Sequence, residues 1–388
     1  MGTDSRNLRE LAFVFLRLGA TAFGGPAAHI GVLREEVVRR RGWLADAEFL
    51  DLLGAANLIP GPNSTELAIH IGRKRAGFPG LVVAGAAFIL PAMAVTLAFA
   101  WAYVRFGTLP AAAGFLYGVK PVIIAIVAHA LWGLGRVAIR GRTSAFVAIA
   151  ALAAVAAGAH ELAVLAAAGL LAAAIRAAPR LGSGTAALLP AALPALPAAL
   201  VAGSAAAPSA SVPFALQSLF LFFLKVGSVL YGSGYVLLAF LRADLVHRWG
   251  WLTEETLLDA VAVGQFTPGP LFTTATFIGY LLAGVPGAAL ATLGIFLPAF
   301  VFVAASAPLV PRIRRSPIAG AFLDGVNAAS LALMAVVAWH LGRAAVVDVP
   351  AAALAVVAAI VLARYRLNSA WLVLAGAAIG LAIAAIRG

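Results

Sequence analysis

The chain has 388 residues, 63% of them hydrophobic and only 11% charged, and its mean hydropathy is +1.02. That is too little polar surface for a water-soluble globule, and several apolar runs reach the roughly 20 residues that cross a bilayer, so the sequence reads as an all-α integral membrane protein. The net charge of +12 does not point to nucleic acid, because the basic residues stand in short clusters between apolar runs; the absence of cysteine excludes disulfides, thiolate catalysis and cysteine-held metals. The six histidines show no HxxxH or HExxH spacing, so neither a metal nor another cofactor is expected.

In chain order, the N-terminal stretch MGTDSRNLRELAFVFLRLG carries Arg17 inside its apolar run and has no small-residue cleavage site, so no removable signal peptide is expected. The first apolar segment runs through FGGPAAHIG (23–31) to a basic cluster of Arg34, Arg39, Arg40 and Arg41. The second contains LIPGPNSTE (58–66), where two prolines, a glycine and a carboxylate interrupt an otherwise apolar stretch, and it ends at Arg73, Lys74 and Arg75. A third, with Pro79 and Pro91, ends at Arg105, and a fourth, with Lys120 in FLYGVKP, ends at Arg136, Arg140 and Arg142. Two more follow, separated by His160 and Glu161 and closed by Arg176 and Arg180. Residues 181–211, LGSGTAALLPAALPALPAALVAGSAAAPSAS, are a low-complexity Ala/Pro/Leu stretch.

Beyond it the pattern starts again. FLRLGATAFGG (15–25) aligns with FLKVGSVLYGS (223–233), matching Arg17 to Lys225 at an offset of 208. RGWL (41–44) matches WGWL (249–252), Asp51 matches Asp259, and Pro60-Gly61-Pro62 matches Pro268-Gly269-Pro270 within QFTPGPLFTT (265–274). After a one-residue slip the offset is 207, pairing Pro79-Gly80 with Pro286-Gly287, Pro91 with Pro298, Gly118 with Gly325 and Arg136 with Arg343. The chain therefore divides into a first repeat (1–180), a linker (181–213) and a second repeat (214–388).

Corresponding loops differ in charge. Arg73, Lys74 and Arg75 face the uncharged LLAGVPG (281–287); Arg105 alone faces Arg312, Arg314 and Arg315; Arg136, Arg140 and Arg142 face Arg343 and Asp348; His160 and Glu161 face Arg364 and Arg366. Because basic loops stay cytoplasmic, this alternation in opposite phase predicts inverted-topology repeats. Parity then requires residues 185–207 to cross the membrane as a linker span, between six apolar segments on each side. Arg34 to Arg41 fit this scheme only if the first two segments are re-entrant hairpins, turning at Gly24-Gly25-Pro26 and Pro60-Gly61-Pro62, and the sequence leaves spanning and re-entrant forms open.

Non-helical backbone at membrane depth is costly unless protein or a water-filled cavity satisfies it, so a break present in both repeats is expected to line a cavity. Proline loses no needed hydrogen bond at the start of a half-helix, and glycine lets backbone approach a ligand. Asn63, Ser64 and Thr65 behind Pro62, Thr273 and Thr274 behind Pro270, and the free first-turn amides suit an anion. Arg17 and Lys225 are intramembrane cations that would offset its charge, with Lys120 as an asymmetric third whose repeat partner is Asn327. Blander readings stand beside these: packing kinks for the breaks, snorkelling for Arg17 and Lys225, interior hydrogen bonding for His29 and His70, helix-start electrostatics for Asp51 and Asp259, and a capping box for Asn63 and Glu66. His129, His160, Glu161 and His340 have no repeat support and no assigned role.

FGGPAAHIG (23–31), PGPNSTELAIHIG (60–72) and the second Pro-Gly-Pro together resemble the chromate ion transporter family in its long, two-domain form, over essentially the whole chain except the linker. The resemblance implies an exporter of chromate, a tetrahedral dianion that mimics sulfate, with sulfate transport or exchange related to it. Carried over, the first motif places Gly24, Gly25, Pro26, His29, Pro60, Gly61, Pro62, Asn63, Ser64, Thr65 and Glu66 in the functional region, with Glu66, His29 and His70 as gating or proton-coupling groups. The second repeat departs from it, with Gly232-Ser233-Gly234 in place of Gly-Gly-Pro, Val236 to Leu238 near the His29 position, and no counterpart of Glu66. Gly232, Ser233, Pro268, Gly269 and Pro270 complete the expected substrate site.

An anion transporter in the cell's inner (plasma) membrane is the expected function, with a membrane-embedded phosphatase and a passive anion channel as alternatives from other classes. The absence of a Walker motif leaves an ion gradient, an exchanged anion or the membrane potential as the driver. Expected partners are chromate, sulfate and the lipid bilayer; a homodimer is left open.

Overall fold

The computed structural model describes residues 2–22, 25–107, 109–139, 141–178, 213–231, 236–306, 316–365 and 369–387, and the described residues are helical with no strand. The first repeat comprises α1 (Gly2–Thr21), α2 (Gly25–Arg34) with a π-helical continuation (Glu35–Arg40), α3 (Asp46–Ala56), α4 (Asn63–Phe106), α5 (Pro110–Ala138), α6 (Arg142–Ala156) and α7 (Glu161–Ala177). The second comprises α8 (Leu216–Val229), α9 (Leu237–Phe240) with a π-helical continuation (Leu241–Arg248), α10 (Glu254–Phe266), a 3₁₀ turn (Leu271–Thr273) leading into α11 (Thr274–Ser306), α12 (Pro317–Ala345), α13 (Val349–Arg364) and α14 (Ser369–Arg387). Among the described residues, five stretches are long and apolar enough to cross a membrane: Asn63–Phe106, Ala111–Arg136, Leu271–Ser306, Pro317–Ala345 and Ser369–Ile386. The protein is a multi-pass membrane protein. The expected linker span falls on residues outside the described ones, as do Gly24, Gly232 and Ser233.

Helix starts follow local chemistry. The Thr253 hydroxyl accepts from the Thr256 amide, the Ser316 hydroxyl from Ala319, and the Asp348 carboxylate from Ala351, each ahead of an apolar run. In α12 a proline stands in the first turn, where its missing N–H costs nothing.

The charged residues at 34–48 settle how the first two segments fold. Glu10 on α1 accepts from both Arg41 and Arg75 at 2.7 Å, and both guanidinium groups lie over the Trp43 ring. Arg34 pairs with Asp46 at 2.7 Å, and Lys74 with Glu48 at 3.0 Å. A straight helix from residue 10 to residue 41 would separate its ends by roughly 45 Å. Instead α1 turns back through α2, and α3 turns back through the first part of α4, so that both hairpins open at one face. At 11 residues, α3 is roughly 16 Å long, about half the ~30 Å hydrocarbon core. Each of the first two segments is therefore a hairpin and not one straight helix. Aromatic packing closes the second repeat's first hairpin the same way, with Phe214 against Trp251 and Phe222 against Trp249.

The junctions after the second hairpins, read from sequence as loops, are sharp kinks. Ala76-Gly77 and Ala283-Gly284 interrupt α4 and α11, and Gly77 (φ 62°, ψ −147°) and Gly284 (φ 62°, ψ −150°) occupy backbone conformations open essentially only to glycine. Pro79 and Pro286 then begin the next arm. The two arms fold close because a Cβ at Gly72 would strike the Gly80 carbonyl, and one at Gly279 the Gly287 carbonyl.

Helices α5–α7 interleave with α12–α14 in one hydrophobic cluster that also receives the second repeat's hairpins. The first repeat's hairpins pack in a cluster of their own with α4, around Phe15, Phe49 and Phe88. Contact between α5 and α14 runs through small residues: a Cβ at Gly118 would meet the Gly376 carbonyl and, at 2.7–2.8 Å, the backbone of Gly380. Gly118→Leu should therefore lower the melting temperature in detergent by several degrees, since overpacking against backbone costs about 1–3 kcal/mol or more. Gly133→Leu, where a Cβ meets nothing within 4 Å, is the neutral control. Equal melting of the two variants would contradict this packing.

Candidate functional site

The two Pro-Gly-Pro breaks meet each other's first hairpin turn. The Gly61 amide donates to the Leu230 carbonyl at 2.7 Å, and the Gly269 amide donates to the Ala22 carbonyl at 2.8 Å. Ala22 and Leu230 are themselves repeat-matched at 208, so the two bonds are reciprocal. Both glycines have positive φ, 137° at Gly61 and 90° at Gly269, which excludes a Cβ on conformational grounds. Space excludes it too, because a Cβ at Gly269 would press on Ala92 and the Gly19 carbonyl, and one at Gly61 on the Glu66 carboxyl.

In the first repeat, the amides of Thr65 and Glu66 return to the Pro62 carbonyl, at 2.8 and 3.0 Å. Among the described residues, the amides of Asn63 and Ser64 have no partner, as expected where a helix begins. His29 joins the two hairpins: one ring nitrogen lies 3.1 Å from the Ala22 carbonyl and the other 3.4 Å from Ser64 Oγ, and the ring is 2% exposed. Gly25 and Pro26 begin α2 immediately before it.

Glu66 is fully buried, and neither carboxyl oxygen has a hydrogen-bond partner among the described residues. It forms no capping box, because Asn63 instead donates to Asn57 at 2.6 Å and the N-cap Pro62 makes no side-chain bond. Thr65 Oγ1, His70 Nε2 and Thr96 Oγ1 are likewise buried without partners. The second repeat is satisfied at the matching positions: Thr273 and Thr274 donate to the carbonyls of Pro270 and Leu271, at 2.9 and 2.8 Å. Their protons go to the backbone.

The cations expected to offset an anion's charge have partners too. Arg17 pairs with Glu36 at 2.5 Å, and Lys225 with Asp244 at 2.5 Å. Glu36 and Asp244 are repeat-matched at 208, so the whole pair is duplicated. Lys120 pairs with Asp259 at 2.9 Å and Glu255 at 3.2 Å, and the Tyr103 hydroxyl donates to Asp259 at 2.7 Å. Sequence reading missed Glu36 and Asp244, although the offset that matched Arg17 to Lys225 matches them as well. Tyr231, also missed, follows Leu230 and lies within electrostatic reach of Glu66.

A double-mutant cycle tests the duplicated pair. Arg17→Gln and Glu36→Gln should each destabilise the protein, and the double variant should lose less than the two added together. Additive losses on thermal unfolding would contradict the pairing.

Comparison with known proteins agrees with the duplication and supplies its context. The chromate transporter family model matches twice, over residues 9–173 and 217–381, so its two matches are displaced by the same 208 residues at both ends. The chain is 36% identical over 375 residues to a chromate transport protein of Cupriavidus metallidurans, covering 96% of this chain and 92% of that one. It is 32% identical over 353 residues to a probable chromate transport protein of Synechococcus elongatus (89% and 87% covered), and 32% identical over 339 residues to a chromate transport protein of Pseudomonas aeruginosa (87% and 81%). No solved structure matches. With both repeats matched and relatives aligned nearly end to end, the chain belongs to the chromate transporter family, multi-pass proteins that in bacteria lie in the inner membrane.

Proposed function

We propose that the protein exports chromate, and that the dianion binds where the two breaks cross. The observation that carries this reading is the reciprocal pairing of Gly61 with Leu230 and Gly269 with Ala22. It brings two helix starts to one place and leaves the Asn63 and Ser64 amides, the Ser64 hydroxyl and His29 as its polar lining. The names of the relatives support the substrate. Sulfate shares the charge and tetrahedral shape and serves as competitor or exchanged ion. Moving two negative charges out of a negative interior is favoured by roughly 4.6 kcal/mol per 100 mV, which supplies a driver without a nucleotide. Arg17 and Lys225 brace the hairpins in this reading and do not touch substrate.

The two repeats, 1–180 and 214–388, lie in opposite orientation. Two contacts support this. Arg73, at the open face of the first repeat's hairpins, donates to the Val303 and Ala304 carbonyls near the end of α11. Tyr103, near the end of α4, donates to Asp259 on a hairpin arm of the second repeat. Single cysteines at Ala76 and Ala283, in a chain with no other cysteine, should label from opposite sides of the membrane. Labelling from one side would reject the inversion.

Glu66 is the coupling group. A carboxylate enclosed without a partner costs several kcal/mol, so the neutral acid is the form this site accommodates. Losing the proton would also set a negative charge against the break that receives a dianion. Chromate flux in proteoliposomes should therefore fall as pH rises, and Glu66→Gln should transport with a flattened pH profile. An unchanged profile in Glu66→Gln would remove Glu66 from the mechanism. Gly61→Leu should abolish flux while the protein still inserts; normal flux would reduce the break to a packing kink. The phosphatase alternative has less support, since it needs an acid and a base poised on a common substrate and Glu66 is enclosed.

A further inference from the structure

A cavity of about 350 Å³ opens between the turn joining α6 to α7, the π-helical end of α9, and α12. Its polar lining is Glu161, Arg242, His247, Arg248 and His340. The volume falls within the range of small-ligand sites, roughly 300–1,000 Å³. It lies outside the crossing of the breaks, and none of these groups belongs to the site described above.

The permanent charges that line it are paired. Arg242 binds Glu254 at 2.6 Å, Arg248 binds Asp244 and lies 3.8 Å from Glu161, and Lys225 binds Asp244. Three cations thus meet three carboxylates. The first repeat contains the same skeleton, Arg34 with Asp46 and Arg17 with Glu36, where it closes a hairpin. The histidines have no such precedent: the positions matching His247 and His340 are Arg39 and Gly133. His247 Nε2 is 3.3 Å from Glu254, His160 Nδ1 is 3.7 Å from Glu161, and Arg343 stands one turn beyond His340. Arg242 Nε and Glu254 Oε2 have no hydrogen-bond partner among the described residues, so this ion pair has donor capacity left over.

Histidine is the side chain whose ordinary charge change falls between pH 5 and 8. Protonating His247 and His340 adds positive charge where the guanidinium groups are already neutralised, and a dianion is the ligand that balances it. We propose that this cavity is a second oxyanion site, filled by a tetrahedral dianion when its histidines are protonated. The proposal rests on the transporter reading only for its choice of ligand, and places a second anion beside the transported one, held more tightly in acid.

The test is equilibrium binding of radiolabelled sulfate to the purified full-length protein at pH 5.5 and pH 8. Wild type should bind two sulfates per chain at pH 5.5 and one at pH 8. His247→Gln/His340→Gln should bind one at both, its retained site at pH 8 showing that it is folded. Gly61→Leu should bind one at pH 5.5 and none at pH 8. A single site in wild type at both pH values, or two sites in the histidine variant at pH 5.5, overturns the second site. Full binding by Gly61→Leu at pH 8 overturns the crossing as the main site instead.

Discussion

Backbone amides broken out of a helix at membrane depth must find partners or remain a large free-energy cost, and that requirement organises this molecule. Neither repeat satisfies its own break. The Gly61 amide takes a carbonyl from the second repeat, and the Gly269 amide takes one from the first. Neither half can complete the arrangement alone, which gives a physical reason for two fused copies.

The hairpins that deliver the breaks are held at their open ends by charge. Glu10 ties Arg41 and Arg75 together over Trp43, and the pairs of Arg17 with Glu36 and Lys225 with Asp244 fasten each first hairpin to its own return arm. Glu36 and Asp244 are buried, so removing either cation would leave an uncompensated carboxylate inside the protein. The kinks at Gly77 and Gly284 then redirect the chain into its long second arms without a loop. Against this symmetry the two sites of unmatched polarity stand out: unpartnered Glu66, Thr65 and His70 in the first repeat only, and His247 with His340 on the cavity behind α9.

Much of this was legible in the sequence because duplication repeats its own signals. The offset of 208, slipping to 207, marked both breaks and the matched cations, while the kinks at Gly77 and Gly284 read only as loops. What escaped was long-range pairing. Arg17 reads as an unpaired intramembrane charge because Glu36 lies on the return arm of a hairpin, and only the turn brings them together. The spacing of Asn63 and Glu66 fits a local capping rule, yet the carboxyl packs against Gly61 and bonds none of the described residues. Thr273 and Thr274 promised free hydroxyls, but short bonds to the preceding carbonyls use them. The fold-back of the first two segments escaped for the same reason, since it depends on contacts between residues 10, 41 and 75.

The claim that the crossed breaks hold the transported dianion is tested most directly by a density map of the protein with tungstate, a heavy tetrahedral dianion. The account requires one strong peak within hydrogen-bonding distance of the Asn63 and Ser64 amides, between the two Pro-Gly-Pro turns. Tungstate bound elsewhere along the pathway with that place empty, in protein that still transports chromate, would contradict it.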